Sequence, residues 1–210
     1  MHRLNPRNQA VAISLAGLAG YVDALAFIEL KGFFVSFMSG NSTRMGVGLI
    51  ERESDWQTAA ALIGAFAAGV VLGSLVGRKA HHHRAAKLIA LIALLLGAAA
   101  VVMTIGASRN LAIALMALAM GAVNAVYEQD GEVKFGLTYM TGAIVKVGQH
   151  IAAFLSGEKV VGSISYALLW AGLVGGAALA AFTHPLWGLT GLWAASGFAA
   201  CLALVMWRED

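Results

Sequence analysis

The sequence predicts an all-α polytopic membrane protein: six transmembrane helices in 3+3 inverted repeats, each repeat carrying a broken half-helix segment that does not cross. Three observations lead there: composition, an internal repeat and the placement of basic residues. Hydrophobic residues make up 60% of the 210 and charged residues 12%, about half the charged share of a soluble domain. The mean hydropathy is +0.78. A soluble domain of this size has no means of hiding that much apolar surface, so most of the chain faces lipid or other helices. The 25 Gly against 2 Pro suit closely packed helices in a bilayer. The net charge of +3 is spread between loops and does not point to nucleic acid.

The internal repeat is the second observation. Ser36-Phe37-Met38-Ser39-Gly40 is echoed by Thr138-Tyr139-Met140-Thr141-Gly142, and the same offset of 102 pairs Arg44 with Lys146 and Gly46 with Gly148. Upstream, Gly20-Tyr21-Val22-Asp23-Ala24 matches Gly121-Ala122-Val123-Asn124-Ala125 at 101. Downstream, Gly69 and Gly73 match Gly172 and Gly176 at 103. Ordered matches that drift by single residues are what a duplication with small indels leaves. One membrane domain over 1–210 is expected, with repeat one at 11–107 and repeat two at 110–207.

Six runs reach the roughly 20 residues a crossing helix needs: 11–30, 56–77, 87–107, 110–127, 165–183 and 187–207. Trp56, Trp187 and Trp207 fall at run ends, where aromatic rings anchor at headgroup level. The first run superficially resembles a signal peptide. However, Asp23 interrupts its apolar region and its counterpart around Asn124 lies in mid-chain, so a retained first span is expected. Segments 33–50 and 135–155 carry the repeated motif. If neither crosses and the N-terminus is cytoplasmic, Arg3, Arg7, Arg78, Lys79, Arg84, Lys87, Lys134, Lys159 and Arg208 lie inside, against Lys31, Arg52 and Arg109 outside. If both cross, nine against three becomes six against six. The positive-inside rule therefore favours six spans with both termini cytoplasmic. Three crossings per repeat return the chain to the opposite side, which inverts the second copy.

Within 33–50, an aromatic and β-branched run suits an extended approach, and Ser39 to Thr43 are good helix N-caps. A helix is expected from about Asn41 to Ile50, and in the second copy from the Thr141-Gly142 break past His150. Irregular backbone at membrane depth is tolerated only inside protein or against a wet cavity. Two half-helix N-termini aimed at one point would make an anion site, with Gly40 and Gly142 admitting a ligand close to the backbone. Arg44 and Lys146 would add full charges one turn in. The expected solute site is therefore Ser39, Gly40, Asn41, Arg44, Thr141, Gly142 and Lys146. The opposing reading is helix packing, with both basic side chains snorkelling to the surface.

Asp23 lies deep in the first run and has two readings, a proton-coupling group or a structural ion pair with Arg44 or Lys146. Asn124 reads as a helix–helix hydrogen bonder. Gly69, Gly73 and Gly77, like Gly172 and Gly176, have small-xxx-small spacing, which means close packing within the bundle or in a homodimer. His81-His82-His83 sits among Arg78, Lys79, Arg84 and Lys87. Adjacent helical positions diverge, so a topology-fixing basic loop touching anionic lipid is favoured over a metal site. No Gly-rich phosphate loop, Cys pair or HExxH occurs, so no cofactor and no metal are expected.

Gly20-Tyr21-Val22-Asp23-Ala24, Phe37-Met38-Ser39-Gly40-Asn41 and Tyr139-Met140-Thr141-Gly142 with Lys146 and Gly148 together resemble the YoaK-like family of bacterial inner-membrane proteins. The likeness covers essentially the whole chain. It implies an inner-membrane location and the span number but no substrate. Ser39 stands where that family more often has Thr, and Arg44 where it is more often apolar, which ranks Lys146 above Arg44. A strand leading into a half-helix in inverted copies also resembles the core of nucleobase and sulfate/bicarbonate transporters, a likeness of fold alone. The expected function is a secondary transporter or channel for a small anionic or polar solute, not an enzyme. A structural or sensory membrane protein without transport is the alternative, and a membrane-embedded enzyme using Asp23 and the histidines is a lesser one.

Overall fold

The computed structural model describes residues 6–52, 55–80, 82–129, 132–133, 140–157 and 163–208. Among the described residues eight α-helices follow one another: α1 (Pro6–Glu29), α2 (Met38–Glu51), α3 (Asp55–Lys79), α4 (Arg84–Thr104), α5 (Arg109–Val123), α6 (Met140–Leu155), α7 (Ser163–Trp187) and α8 (Leu192–Trp207). Single 3-10 turns extend α5 (Asn124–Tyr127) and link α7 to α8 (Gly188–Gly191). A two-residue antiparallel ladder, Glu128–Gln129 against Glu132–Val133, is the sheet structure among the described residues.

Among the described residues five helical segments are long and apolar enough to cross a bilayer: residues 6–29, 55–79, 84–104, 109–127 and 164–207. The count expected from sequence was six. The difference lies in the last segment, whose 44 residues contain both α7 and α8. At 1.5 Å per residue that run is about 66 Å long, twice a hydrocarbon core of about 30 Å. Its bend falls at Pro185 and Gly188, the latter with φ +51°.

Contacts fix the helix directions. Gln9 meets Ser165, Gly17 packs on Gly176, and Tyr21 meets Thr183, so α1 and α7 run parallel. Gly69 packs on Leu118, Gly73 on Ala122, and Ser74 bonds Glu128, so α3 and α5 are also parallel. Glu29 at the end of α1 binds Arg109 at the start of α5, while Tyr127 beyond α5 donates to the Asn8 carbonyl. Those two helices are therefore antiparallel. Arg84 at the start of α4 reaches the Ala125 and Glu128 carbonyls, which opposes α4 to α5. His83 stacks on Trp207, Ser196 donates to the Ala93 carbonyl and Trp193 to Thr104, which opposes α4 to α8.

The core is made of α1, α4 and α5, which are buried along much of their length through Leu15, Leu25, Leu88, Ile92, Met116 and Met120. Glycine sets the close approaches. A Cβ on Gly20 would meet the Leu173 carbonyl, one on Gly69 the Leu118 carbonyl, and one on Gly176 the Gly17 carbonyl, each well under the 3.0 Å limit of real contacts. The glycine faces of α3 and α7 are thus occupied within one chain. Close packing within the bundle is one of the two uses that small-xxx-small spacing offers, and it buries these glycines.

Candidate functional site

The first copy of the motif is a chain reversal built around Asp23. After α1 the backbone turns at Lys31 and Gly32, with φ of +51° and +108°. It returns as the non-helical stretch 33–37, whose Phe33, Val35 and Ser36 are buried. Extended backbone in an apolar surround needs partners for its N–H groups. Asp23 supplies them: its Oδ1 accepts from the Val35 and Ser36 amides, both at 2.8 Å. Asp23 forms no ion pair with Arg44 or Lys146; its acceptor is turned to backbone.

Asn41 completes the clamp. Fully buried, it accepts from the Phe34 amide at 3.1 Å and donates to the Phe34 carbonyl at 2.6 Å. Phe34 also packs edge-on against Phe37, with ring centroids 5.3 Å apart. These contacts start α2 at Met38, three residues before the expected Asn41, with Phe37 as an N-cap that makes no side-chain bond. The polar run therefore lies inside the first turns. Ser42 and Thr43 bond back to the Met38 and Ser39 carbonyls, Ser39 is exposed, and the space beside Gly40 is filled by Phe37. Arg44 lies over the Phe33 ring, its guanidinium carbon 4.3 Å from the centroid. Its Nη1 is buried without a hydrogen bond. A cation held on an aromatic face beneath its own chain reversal is braced as packing.

The second copy differs. Residues 134–139, which include Thr138 and Tyr139 of the motif, lie outside the described residues, as do His81 and the charges counted at Arg3 and Lys159. The helix α6 begins at Met140, so Thr141 and Gly142 fall in its first turn. Both are exposed, as is Lys146, whose Nζ donates to Gln149 at 3.1 Å. The helix α6 packs on α7, with the His150 ring beside Tyr166, and its buried residues are Met140 and Ala143. Asn124 is buried and donates to the Met120 and Gly121 carbonyls where α5 tightens into its 3-10 turn.

The two motif helices pack mainly on different neighbours. The main partner of α2 is α3 and that of α6 is α7, and among the described residues no hydrogen bond, ion pair or ring contact joins α2 to α6. The structure brings Asp23, Asn41, Gly40 and Arg44 together around one reversal, while Thr141, Gly142 and Lys146 share an exposed stretch of another helix.

Sequence reasoning missed one cluster. Glu29 Oε2 pairs with Arg109 at 2.9 Å and its Oε1 with His184 Nε2 at 2.8 Å, joining the ends of α1 and α7 to the start of α5. Arg109 also reaches the Glu29 carbonyl. The available signal was a single charge at the border of each apolar run. Nearby, a cavity of about 280 Å³ holds Gln57, Thr58 and Asn110 between the starts of α3 and α5.

A family model described as "Protein of unknown function (DUF1275)" matches residues 11–205. The chain belongs to the DUF1275 family. A relative from Rhizobium meliloti (strain 1021), "UPF0700 transmembrane protein RA0705", is 32% identical over 192 residues, covering 89% of this chain and 80% of its own. No solved structure matches. With five apolar segments of spanning length among the described residues, this DUF1275 member is a membrane protein.

Proposed function

We propose that the chain crosses the bacterial inner membrane six times, as two inverted halves with both termini cytoplasmic, and that it is a secondary transporter or channel for a small anionic or polar solute, not an enzyme. The observation that carries this reading is direction. α3 opposes α1, and α7 opposes α5, so each motif helix sits inside a reversal that completes only one return crossing. The full order alternates: α1 down, α3 up, α4 down, α5 up, α7 down, α8 up.

The pairing supports the inversion. Exchanging the halves turns the parallel pair α1 and α7 into the parallel pair α5 and α3, and returns α4 and α8 to each other. Ala93 and Ser196, which touch, differ by 103, the downstream offset of the repeat. Because α4 and α8 are antiparallel, an axis relating them crosses the helices and so lies in the membrane plane. Inverted repeats with interrupted elements are a transporter plan.

In this reading Ser39, Thr141, Gly142 and Lys146 face the solute, while Asp23, Asn41, Arg44 and Asn124 hold the backbone around them and Phe37 covers Gly40. Lipid and solute are the partners. The separate seats of α2 and α6 favour the second reading, a structural or sensory protein without transport.

Flux separates the two. Liposomes holding the purified protein are diluted into iso-osmotic potassium nitrate, acetate, bicarbonate, phosphate or sulfate, with valinomycin to carry potassium. Swelling above protein-free liposomes is expected for at least one anion. Lys146→Met should then slow it by about 10- to 150-fold, the equivalent of one charge-assisted contact of roughly 1.5–3 kcal/mol. Swelling no faster than in protein-free liposomes for all five anions would favour the structural reading. In a Cys201→Ser background, Lys87→Cys should resist an impermeant maleimide added to intact cells and Ala107→Cys should label. The reverse pattern would overturn the orientation.

A further inference from the structure

Between α4 and α8 runs a laterally open groove of about 610 Å³. Its floor is small, with Ala90, Ala93, Gly97 and Ala200, and a tryptophan closes each end: Trp207 beside the start of α4 and Trp193 beside its close. From Ala86 to Val101 the α4 wall is about 22 Å long at 1.5 Å per residue, more than the roughly 15 Å of one leaflet's hydrocarbon. The two ends differ in charge. At the Trp193 end the neighbour is the neutral Thr104 hydroxyl, 3.0 Å away. At the Trp207 end His83 stacks on the indole at a centroid distance of 4.5 Å. Lys87 follows His83 by one turn, on the same α4 face as Ala90 and Leu94 of the groove, and the exposed His82 and Arg208 lie alongside. The acidic side chain described on this side, Glu128, accepts from Ser74 of α3. Glu209 and Asp210 lie outside the described residues.

We propose that this groove is a binding site for an anionic phospholipid, one acyl chain lying along α4 between the two tryptophans and the phosphate held by Lys87 beside the His83–Trp207 stack. The chemistry is that of an apolar slot ending beside basic side chains. Small side chains admit a linear chain along the helix pair, aromatic rings bracket it, and basic groups select the headgroup. The orientation proposed above assigns the lipid to the cytoplasmic leaflet; the site itself does not depend on transport.

The test is native mass spectrometry of the full chain released from nanodiscs with equal mole fractions of phosphatidylglycerol and phosphatidylcholine. Phosphatidylglycerol should be retained about tenfold over phosphatidylcholine. Lys87→Gln should bring the ratio to parity, and Gly97→Leu, which fills the slot, should lower retention of both. If Gly97→Leu fails to fold, quenching of tryptophan fluorescence by acyl-brominated phosphatidylglycerol against brominated phosphatidylcholine reads the same preference on the unaltered chain. Equal retention of the two lipids, or a preference untouched by Lys87→Gln, would overturn the proposal. So would a disulfide between two copies carrying Leu94→Cys in a Cys201→Ser background, which would make the groove a protein interface.

Discussion

Replacing Asp23 separates a carboxylate that shapes the backbone from one that titrates during transport. Its Oδ1 holds two amides at 2.8 Å in a reversal enclosed by Phe33, Val35 and Ser36. A hydrogen bond to a charged acceptor contributes about 1.5–3 kcal/mol, and one to a neutral acceptor about 0.5–1.5. Asp23→Ala removes both and strands two N–H groups where no water replaces the lost partner, so it should cost about 3–6 kcal/mol. Asp23→Asn keeps an acceptor oxygen in place and should cost about 2–3 kcal/mol. Denaturant titration in mixed micelles followed by circular dichroism measures both. Hydrogen exchange locates the effect, with Val35 and Ser36 amides protected in the native chain and in Asp23→Asn but fast in Asp23→Ala. An Asp23→Ala protein within about 1 kcal/mol of the native chain, or two variants of equal cost, would refute the backbone role.

Gly20→Ala should destabilise by about 3 kcal/mol, the upper end for overpacking, because the new methyl meets a backbone carbonyl with no rotamer to escape into; Gly64→Ala, on an exposed helix face with no neighbour within 4 Å, should instead stabilise by up to about 1 kcal/mol in the same titration. A double-mutant cycle of Glu29→Gln with Arg109→Gln should give a coupling below about 1 kcal/mol, since Arg109 is 49% exposed and water screens the pair.

The glycine pairs are the part of the fold most openly written in the chain. Gly69 with Gly172 and Gly73 with Gly176 match by offset, and each lies within reach of another helix's backbone. Partner choice is not written there, because periodicity marks which face is small and not what covers it. The role of Asp23 was hidden for a related reason: its partners are backbone amides 12 and 13 residues on, and backbone has no sequence signature. The early start of α2 comes from the Asn41 amide and the Phe34–Phe37 edge contact, which are tertiary and override local capping preference. The break between α7 and α8 was legible as the gap between the runs 165–183 and 187–207, where His184 and Pro185 lie. The seats of α2 and α6 on separate flanks could not be read from a motif whose two copies look alike.

The parallel pairing of α1 with α7 has a consequence for how the protein is made. Gly17 and its partner Gly172 stand 155 positions apart in the chain. At synthesis rates of about 5–20 residues per second, some 8–30 s separate their emergence from the ribosome. Throughout that interval the first helix sits in the bilayer with its narrowest face open, ready to receive any other small-faced helix. Native assembly then depends on the nascent chain keeping that face vacant until its last third arrives, so a synthesis pause after α5 should expose the newborn protein to capture by other helices or by proteases.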